Sequence, residues 1–323
     1  MKKIWLPLVL TLMLVLSACG GGSTSNNANT GAAENTPANT NTATNEAAGG
    51  ETASGTITYQ SENGPIEVPA NPQRVIVLAS FAGNIMALDV PLVGVDSWSK
   101  GNPRYQDKLA NVEEVSDENI EKIIELEPDL IIALSSVKNL DKLKEIAPTV
   151  TYTYGKVDYL QQHVELGKLV NKGDEAQAWV DDFKKRADEA GEQIRAKIGD
   201  KTVSVIESFN KQLYVYGDNW GRGTEILYQA MKLNMPEKVK ETALKEGYHA
   251  LSTEVLPEFA GDYLIISKFP DQDNSYQETE SYKNIPAVKN GQVFEANAKE
   301  FYFNDPITLD FQLEFFKQHF LGN

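Results

Sequence analysis

The longest amphipathic pattern in the chain runs from Asp174 to Ile198, with apolar side chains along one stripe and charged side chains on the other faces. Asp174 followed by Gln177 predicts a capped helix start, and Gly199 predicts the helix end. At about 1.5 Å per residue this helix is roughly 37 Å long, which is more than a small core needs. An ordinary surface helix is the alternative interpretation. The stripe consists of Trp179, Phe183, Ala187, Ala190, Ile194 and Ile198.

A pattern that repeats on either side of this helix indicates two related halves. Glu121 leads a short helical segment, and Asp129 then opens an apolar strand. Glu254 and Asp262 stand in the same relation after the long helix, with the same spacing. A helix followed by a strand is common in α/β proteins, so one match alone would be weak. Its recurrence predicts two related lobes joined by the helix.

Short apolar strands alternate with amphipathic helices on both sides of the long helix, which is typical of α/β proteins with mostly parallel sheets. The pattern predicts two doubly wound α/β lobes bridged by a single long helix, with a ligand cleft between the lobes. The predicted divisions are an N-terminal lobe over 56–173, the helix over 174–198 and a C-terminal lobe over 199–323. Ligands of such sheets lie at the carboxyl ends of the strands.

The first residues have the pattern of a targeting segment. A positively charged start and an apolar run from Ile4 to Leu16 are followed by Leu16–Cys19, which resembles the lipobox of bacterial lipoprotein precursors. This resemblance implies a signal peptide over 1–18 and a lipid on the Cys19 thiol, and a plain secretory signal is the alternative. Residues 19–55 lack large apolar side chains after Cys19 and predict a disordered tether. The predicted location is the outer face of the cytoplasmic membrane.

Composition narrows the classes of function. The chain carries 46 Asp and Glu against 30 Lys and Arg, a formal net charge of −16, which argues against nucleic-acid binding. Cys19 is the single cysteine, which leaves no disulfide framework and no thiolate metal site. The three histidines, His163, His249 and His319, are scattered, and the sequence has no nucleophile elbow and no P-loop. We therefore predict a protein that is not an enzyme.

A glycine-rich loop carries the strongest binding signal. Gly221 and Gly223 flank Arg222, one of only five arginines in the chain, and Trp220 precedes them. Such a loop can simply turn the chain, in which case Arg222 is a surface residue. Beside aromatic residues, an arginine instead suits a bulky, partly apolar ligand that bears oxygen charge. Iron wrapped in an organic chelator fits this chemistry better than bare ferric ion, which needs several convergent protein ligands.

Two segments, Leu213–Gln229 and Phe301–Phe311, resemble the ferric-hydroxamate-binding lipoproteins of Gram-positive ABC importers. The resemblance spans about residues 65 to 320. It implies a monomeric substrate-binding lipoprotein that captures ferric hydroxamate siderophores and delivers them to a membrane permease driven by an ATPase. No cofactor is implied besides the lipid on Cys19, and no protein side chain would bind the iron directly.

The resemblance also implies roles for particular residues. The predicted ligand residues are Tyr214, Trp220, Arg222, Tyr302 and Tyr154. Among them, Arg222 and Tyr214 would meet the hydroxamate oxygens, and Tyr302 stands where close relatives have a pocket tryptophan. Glu121 and Glu254 match two glutamates that dock onto permease arginines.

Two alternatives remain open from the sequence. One is another ligand in the same fold, such as a catecholate or carboxylate siderophore, haem or cobalamin. The other is a surface lipoprotein without a role in transport.

Overall fold

The computed structural model of the protein describes residues 55–322. The predicted signal peptide, the lipidated Cys19 and nearly all of the predicted tether lie outside the described residues. The described chain opens with a hairpin of strands β1 (Thr56–Ser61) and β2 (Gly64–Pro69). Gly64, at the turn between them, has a φ of +103°, which glycine adopts without strain.

The first lobe is a five-stranded parallel sheet with helices between its strands. Its strands are β3 (Val75–Val77), β4 (Leu92–Val95), β5 (Glu113–Glu114), β6 (Leu130–Leu134) and β7 (Thr149–Tyr152). Their order across the sheet is β5-β4-β3-β6-β7. The helices are α1 (Ala82–Ala87), α2 (Ser97–Lys100), α3 (Ile120–Glu125), α4 (Leu140–Ile146) and α5 (Tyr159–Leu169). Strands β3, β6 and β7 are almost wholly buried, as the continuous apolar runs predicted.

The long helix is α6 (Gly173–Ile198), one residue longer than predicted. The prediction that Asp174 caps it was wrong, because the helix begins one residue earlier and Asp174 lies in its first turn. There the carboxylate still complements the helix dipole. Ala176 packs in the core of the first lobe, whereas Phe183 and Ile194 pack in a core with the second sheet. One continuous helix therefore contributes to both cores, and the predicted bridge is confirmed.

The second lobe is a mixed five-stranded sheet. Its strands are β8 (Val203–Phe209), β9 (Gln212–Tyr216), β10 (Tyr248–Leu251), β11 (Tyr263–Lys268) and β12 (Val293–Asn297). Their order is β10-β9-β8-β11-β12, and β9 runs antiparallel to both of its neighbours. A π-helical segment, Glu225–Ala230, follows the glycine-rich loop. The remaining helices are α7 (Glu237–Ala243), α8 (Leu256–Phe259), α9 (Glu280–Lys283), α10 (Pro286–Lys289), α11 (Ala298–Phe301) and α12 (Pro306–Leu321).

The repeated Asp of the two halves has the same structural role in each lobe. The Asp129 carboxylate accepts hydrogen bonds from the backbone N–H groups of Gln73 (2.6 Å) and Arg74 (3.0 Å), just before β3. The Asp262 carboxylate accepts one from the backbone N–H of Thr202 (2.9 Å), just before β8. Each Asp thus ties the start of its own strand to the parallel strand beside it, and the predicted internal repeat is confirmed.

The C-terminal segment fastens the two lobes to each other. Asp305 caps α12 by accepting hydrogen bonds from the N–H groups of Ile307 (3.0 Å) and Thr308 (3.3 Å). The hydroxyl of Tyr105, from the first lobe, also donates to the buried Asp305. The Phe303 ring stacks on Tyr105, with centroids 5.7 Å apart, and packs in the core of the first lobe. The predicted lobe boundaries at 173 and 199 stay a division made from the sequence.

The three histidines differ in burial and surroundings. His163 is buried, and burial lowers its pKa to about 4. Across residues 55–322, no three His, Cys, Asp or Glu side chains are grouped so that they could hold a metal ion. None of the helices within the same range combines the length and apolarity that crossing a bilayer requires.

Candidate functional site: an aromatic cleft with one buried arginine

Two adjoining cavities open where the carboxyl ends of the first-lobe strands face the glycine-rich loop. The first cavity has a volume of about 240 Å³ and the second of about 310 Å³. Tyr154 and Asn304 line both cavities, so together they form one cleft. Both lobes contribute to its walls, for example Ser80 from the first and Trp220 from the second.

The loop that carries the arginine has three consecutive left-handed residues. The φ angles of Gly221, Arg222 and Gly223 are +68°, +59° and +82°. A Cβ atom at Gly221 would lie 2.3 Å from the Tyr302 carbonyl oxygen, so this position requires glycine. Arg222 takes a conformation that side-chain-bearing residues rarely adopt, and its N–H donates to the Phe301 carbonyl at 2.7 Å. The backbone is thus turned to direct one particular side chain into the cleft.

The buried carboxylate of Glu207 holds the Arg222 side chain in place. Its Nε and Nη2 donate to Glu207 Oε1 at 3.2 and 3.1 Å, and its Nη1 donates to the Trp220 carbonyl at 2.9 Å. Glu207 is fully buried, and it also accepts hydrogen bonds from the Tyr216 hydroxyl (2.9 Å) and from Ser267 Oγ (2.5 Å). Burial alone would lower the pKa of Arg222, but the charge of Glu207 outweighs it and keeps that pKa above its ordinary value.

The Arg222 guanidinium has N–H groups left that can donate hydrogen bonds to a ligand. A guanidinium has five N–H groups, and hydrogen bonds within the described residues use three of them, one on each nitrogen. The guanidinium carbon lies 4.4 Å from the Tyr302 ring centre and 4.8 Å from that of Tyr216, at cation–π distance. Arg222 is only 7% exposed, and that remaining surface borders the first cavity.

Aromatic side chains from both lobes surround this arginine. The rings of Tyr154 and Trp220 meet edge to face with centroids 5.5 Å apart, and Trp220 also contacts Tyr248 at 5.2 Å. Trp98 stacks on Tyr302 at 4.5 Å with an interplanar angle of 16°. Tyr154 and Trp98 belong to the first lobe, and both remain about half exposed. The walls can therefore contact a bulky ligand from two sides.

The structure brings together most of the predicted ligand residues. Tyr214 is the exception: it is absent from the cavity walls and packs on β9 against Tyr248, with ring centroids 5.8 Å apart. A direct contact of Tyr214 with ligand therefore stays a prediction. The four that line the first cavity are Tyr154, Trp220, Arg222 and Tyr302.

Glu121 and Glu254 are both exposed and outside the cavity walls. Glu121 lies in the first turn of α3, as predicted. Glu254 lies two residues before α8, because that helix begins only at Leu256. A hydrogen bond with Ser252 lowers the pKa of Glu254. The equivalence of the two glutamates is therefore one of position along the repeat, not of helix capping.

Two buried carboxylates of the site, those of Glu207 and Glu225, were not predicted from the sequence. Glu207 is the one charged residue of β8, and a charge in a buried strand is the signal that could have indicated a partner for Arg222. Glu225 accepts hydrogen bonds from the Gly221 N–H and from Asn304 Nδ2, both at 2.9 Å, and burial raises its pKa. It borders the second cavity and anchors the glycine-rich loop.

The fold and the interlobe cleft define a class of protein, the bilobal substrate-binding proteins with one bridging helix. The family described as "Periplasmic binding protein" matches residues 80–300, and the chain belongs to this family. Bacillus subtilis iron(3+)-hydroxamate-binding protein FhuD is 36% identical, with 95% of this chain and 93% of that protein covered. The predicted resemblance is thereby confirmed.

Solved structures agree with the fold. The FhuD protein from S. pseudintermedius superposes with a TM-score of 0.76 at 35% identity, covering 84% of this chain and 99% of that chain. FhuD2 from Staphylococcus aureus with bound ferrioxamine B gives a TM-score of 0.75 at 36% identity, covering 78% and 99%.

Proposed function

We propose that this protein is the substrate-binding component of an ABC importer and captures ferric hydroxamate siderophores for iron uptake. The chelate binds in the cleft between the lobes, and the siderophore supplies every iron ligand. The single observation that carries this proposal is the position of Arg222, which lines a cavity together with aromatic rings and uses only three of its five guanidinium N–H groups in hydrogen bonds within residues 55–322. Membership of the binding-protein family and the names of the similar proteins support it.

The chemistry of the cleft suits such a ligand. A trihydroxamate complex presents carbonyl and N–O oxygens around the metal and an apolar chain outside it. Arg222 donates charge-assisted hydrogen bonds to these oxygens, and Trp98, Tyr154, Trp220 and Tyr302 contact the apolar parts. Tyr214, whose ring lies 5.8 Å from that of Tyr248, is the second residue that we assign to the hydroxamate oxygens.

Delivery requires contact with a permease. Glu121 on the first lobe and Glu254 on the second are exposed carboxylates, one in each repeat, and we assign them to arginines of the permease, which an ATPase drives. Cys19 carries the lipid that holds the protein, as a monomer, on the outer face of the cytoplasmic membrane. The protein has no catalytic role in this scheme.

A fluorescence titration tests the proposed ligand. Trp220 borders the cavity, and ferric hydroxamates absorb strongly, so saturable quenching by a ferric trihydroxamate is expected. Ferric triscatecholate, ferric citrate, haem and cobalamin serve as competitors in the same assay. Saturable binding of one of these, with no response to any hydroxamate, would replace the proposed ligand. A protein that binds none of them would fit the surface-lipoprotein alternative instead.

A further inference from the structure

The charged side chains that border the cleft, buried and exposed together, nearly cancel one another. Arg222 is the charged residue bordering the first cavity, and Glu207 neutralises it from the buried side. The second cavity is bordered by Lys156, Asp158 and Glu225. These five groups sum to zero when Glu225 is protonated and to one negative charge when it is ionised. The cleft therefore offers no net positive charge to a ligand.

We propose that Glu207 determines the charge selectivity of the cleft, so that it accepts neutral and singly positive ferric chelates and rejects strongly anionic ones. This inference rests on the proposed function and deepens it. Three singly charged hydroxamates neutralise Fe³⁺, whereas three doubly charged catecholates leave a complex with three negative charges. Without the charge of Glu207, Arg222 would attract the negatively charged catecholate complex. The buried partner cancels that attraction while the free N–H groups still donate to oxygens.

The contacts of Glu207 keep it in place as a charge. The guanidinium of Arg222, the Tyr216 hydroxyl and the Ser267 hydroxyl all donate to its two oxygens. Its exposed fraction is zero, so it does not itself touch the ligand. Glu207 is thus a positioning residue that acts through Arg222. Because screening by water is weak at a buried site, its charge is felt across the cleft.

Glu207→Gln tests the inference, because glutamine keeps the shape and an acceptor oxygen but removes the charge. Affinities are measured by fluorescence quenching for three chelates of Fe³⁺: a trihydroxamate with a free amine, a neutral trihydroxamate and a triscatecholate. The variant should gain affinity for the triscatecholate relative to the neutral trihydroxamate by on the order of tenfold or more. It should also lose a few-fold for the amine-bearing chelate relative to the neutral one, in line with one unit of charge.

Arg222→Gln provides a second test with the opposite sign. It leaves the Glu207 charge uncompensated, so the amine-bearing trihydroxamate should gain affinity relative to the neutral one. The double variant Glu207→Gln/Arg222→Gln should return the ratios to those of the wild type, although absolute affinities fall. Glu295→Gln, in the same sheet but paired with Lys268 at 3.1 Å outside the cleft, is the matched control and should not change the ratios.

Equal losses for all three chelates in either single variant would overturn the inference, because that is the result of a purely structural role for Glu207. Such a result would leave the proposed function intact as long as the wild type binds the trihydroxamates. Failure of the wild type to bind any hydroxamate would instead reject the proposed function. Circular dichroism identifies the folded variants, and either single variant suffices to measure the ratios.

Discussion

The two lobes share one repeated unit but differ at the edge of the sheet that meets the ligand. Asp129 and Asp262 each accept a hydrogen bond from the backbone N–H of the residue just before the neighbouring parallel strand. In the five-stranded sheet of the first lobe all strands are parallel, whereas in that of the second the antiparallel β9 and β10 extend the sheet. The loop after β9 carries Arg222 and Trp220. The common framework therefore positions the cleft, and the loop after the added strand β9 supplies its polar chemistry.

The first lobe contributes to the cleft in a different way. Ser80 follows β3 and Tyr154 follows β7, and both line the first cavity. Trp98, in α2, does not line the cavities itself but stacks on Tyr302, which does. The largest of these side chains are aromatic and half exposed. The second lobe supplies direction through hydrogen bonds, and the first supplies contact area. Substitutions in one lobe at a time can test this division of roles.

The largest expected effect follows from removing the feature that both lobes share. Charge reversal of Glu121 and Glu254 together should stop iron uptake by cells, because two permease contacts become repulsive, while siderophore affinity stays unchanged. Glu125→Arg with Glu258→Arg reverses exposed charges in α3 and α8, each four residues along the chain from the tested glutamate, and is the matched control. Uptake is followed with radiolabelled iron at equal surface levels of protein. Wild-type uptake by the first pair would reduce Glu121 to helix stabilisation of about 0.3–1 kcal/mol.

The next effect concerns the second lobe. Arg222→Ala should weaken hydroxamate binding on the order of tenfold or more, because it removes charge-assisted hydrogen bonds of about 1.5–3 kcal/mol each. It should also lower the free energy of unfolding by about 3 kcal/mol, since it leaves Glu207 buried and unpaired. Calorimetric titration and urea unfolding measure the two effects. Tyr214→Phe is the smaller companion change, and unaltered binding by Arg222→Ala would place the ligand elsewhere.

The stability effect of Arg222 illustrates what the sequence could not provide. The glycines around it predicted a binding loop, and that prediction depended only on local chain geometry. Its partner Glu207 lies 15 residues earlier, on β8, whereas Arg222 lies in the loop after β9. The pairing depends on how that loop returns to β8, which no local pattern in the sequence records.

The same difference between local pattern and tertiary pairing explains which fold predictions were confirmed and which were wrong. The apolar stripe of α6 determines its position because a buried face must follow the helical period. The start of that helix was misplaced because Asp174 suits either a cap or a first turn. The edge strand β10 was missed because it is short and has no buried apolar run. Three of its four residues are exposed or only partly buried. Tertiary pairing with β9 stabilises it.

A smaller effect tests the contact area of the first lobe. Trp98→Ala removes the ring that stacks on Tyr302 and should weaken hydroxamate binding several-fold, about 1 kcal/mol, with little change in stability. Ile124→Ala removes another exposed apolar side chain of the same lobe outside the cleft and is the control. If Trp98→Ala costs as much affinity as Arg222→Ala, the two lobes do not divide the roles as described.

The smallest effect concerns the movement of the lobes relative to each other. Because α6 is continuous and Tyr105 is bonded to Asp305 across the lobes, closure on ligand should amount to only a few degrees. Small-angle scattering curves of the apo and loaded protein, without residues 1–54, should nearly superimpose. A large decrease of the radius of gyration on loading would contradict a rigid bridge.

The most direct test of the central claim is a crystal structure of the protein with a ferric trihydroxamate. The account predicts the chelate between Trp220 of the second lobe and the Trp98–Tyr302 stack, with Arg222 Nη atoms about 2.7–2.9 Å from hydroxamate oxygens. Iron should have no protein ligand, and the Arg222–Glu207 pair should persist. A chelate bound outside the cleft, or a protein side chain coordinating the iron, would contradict the account.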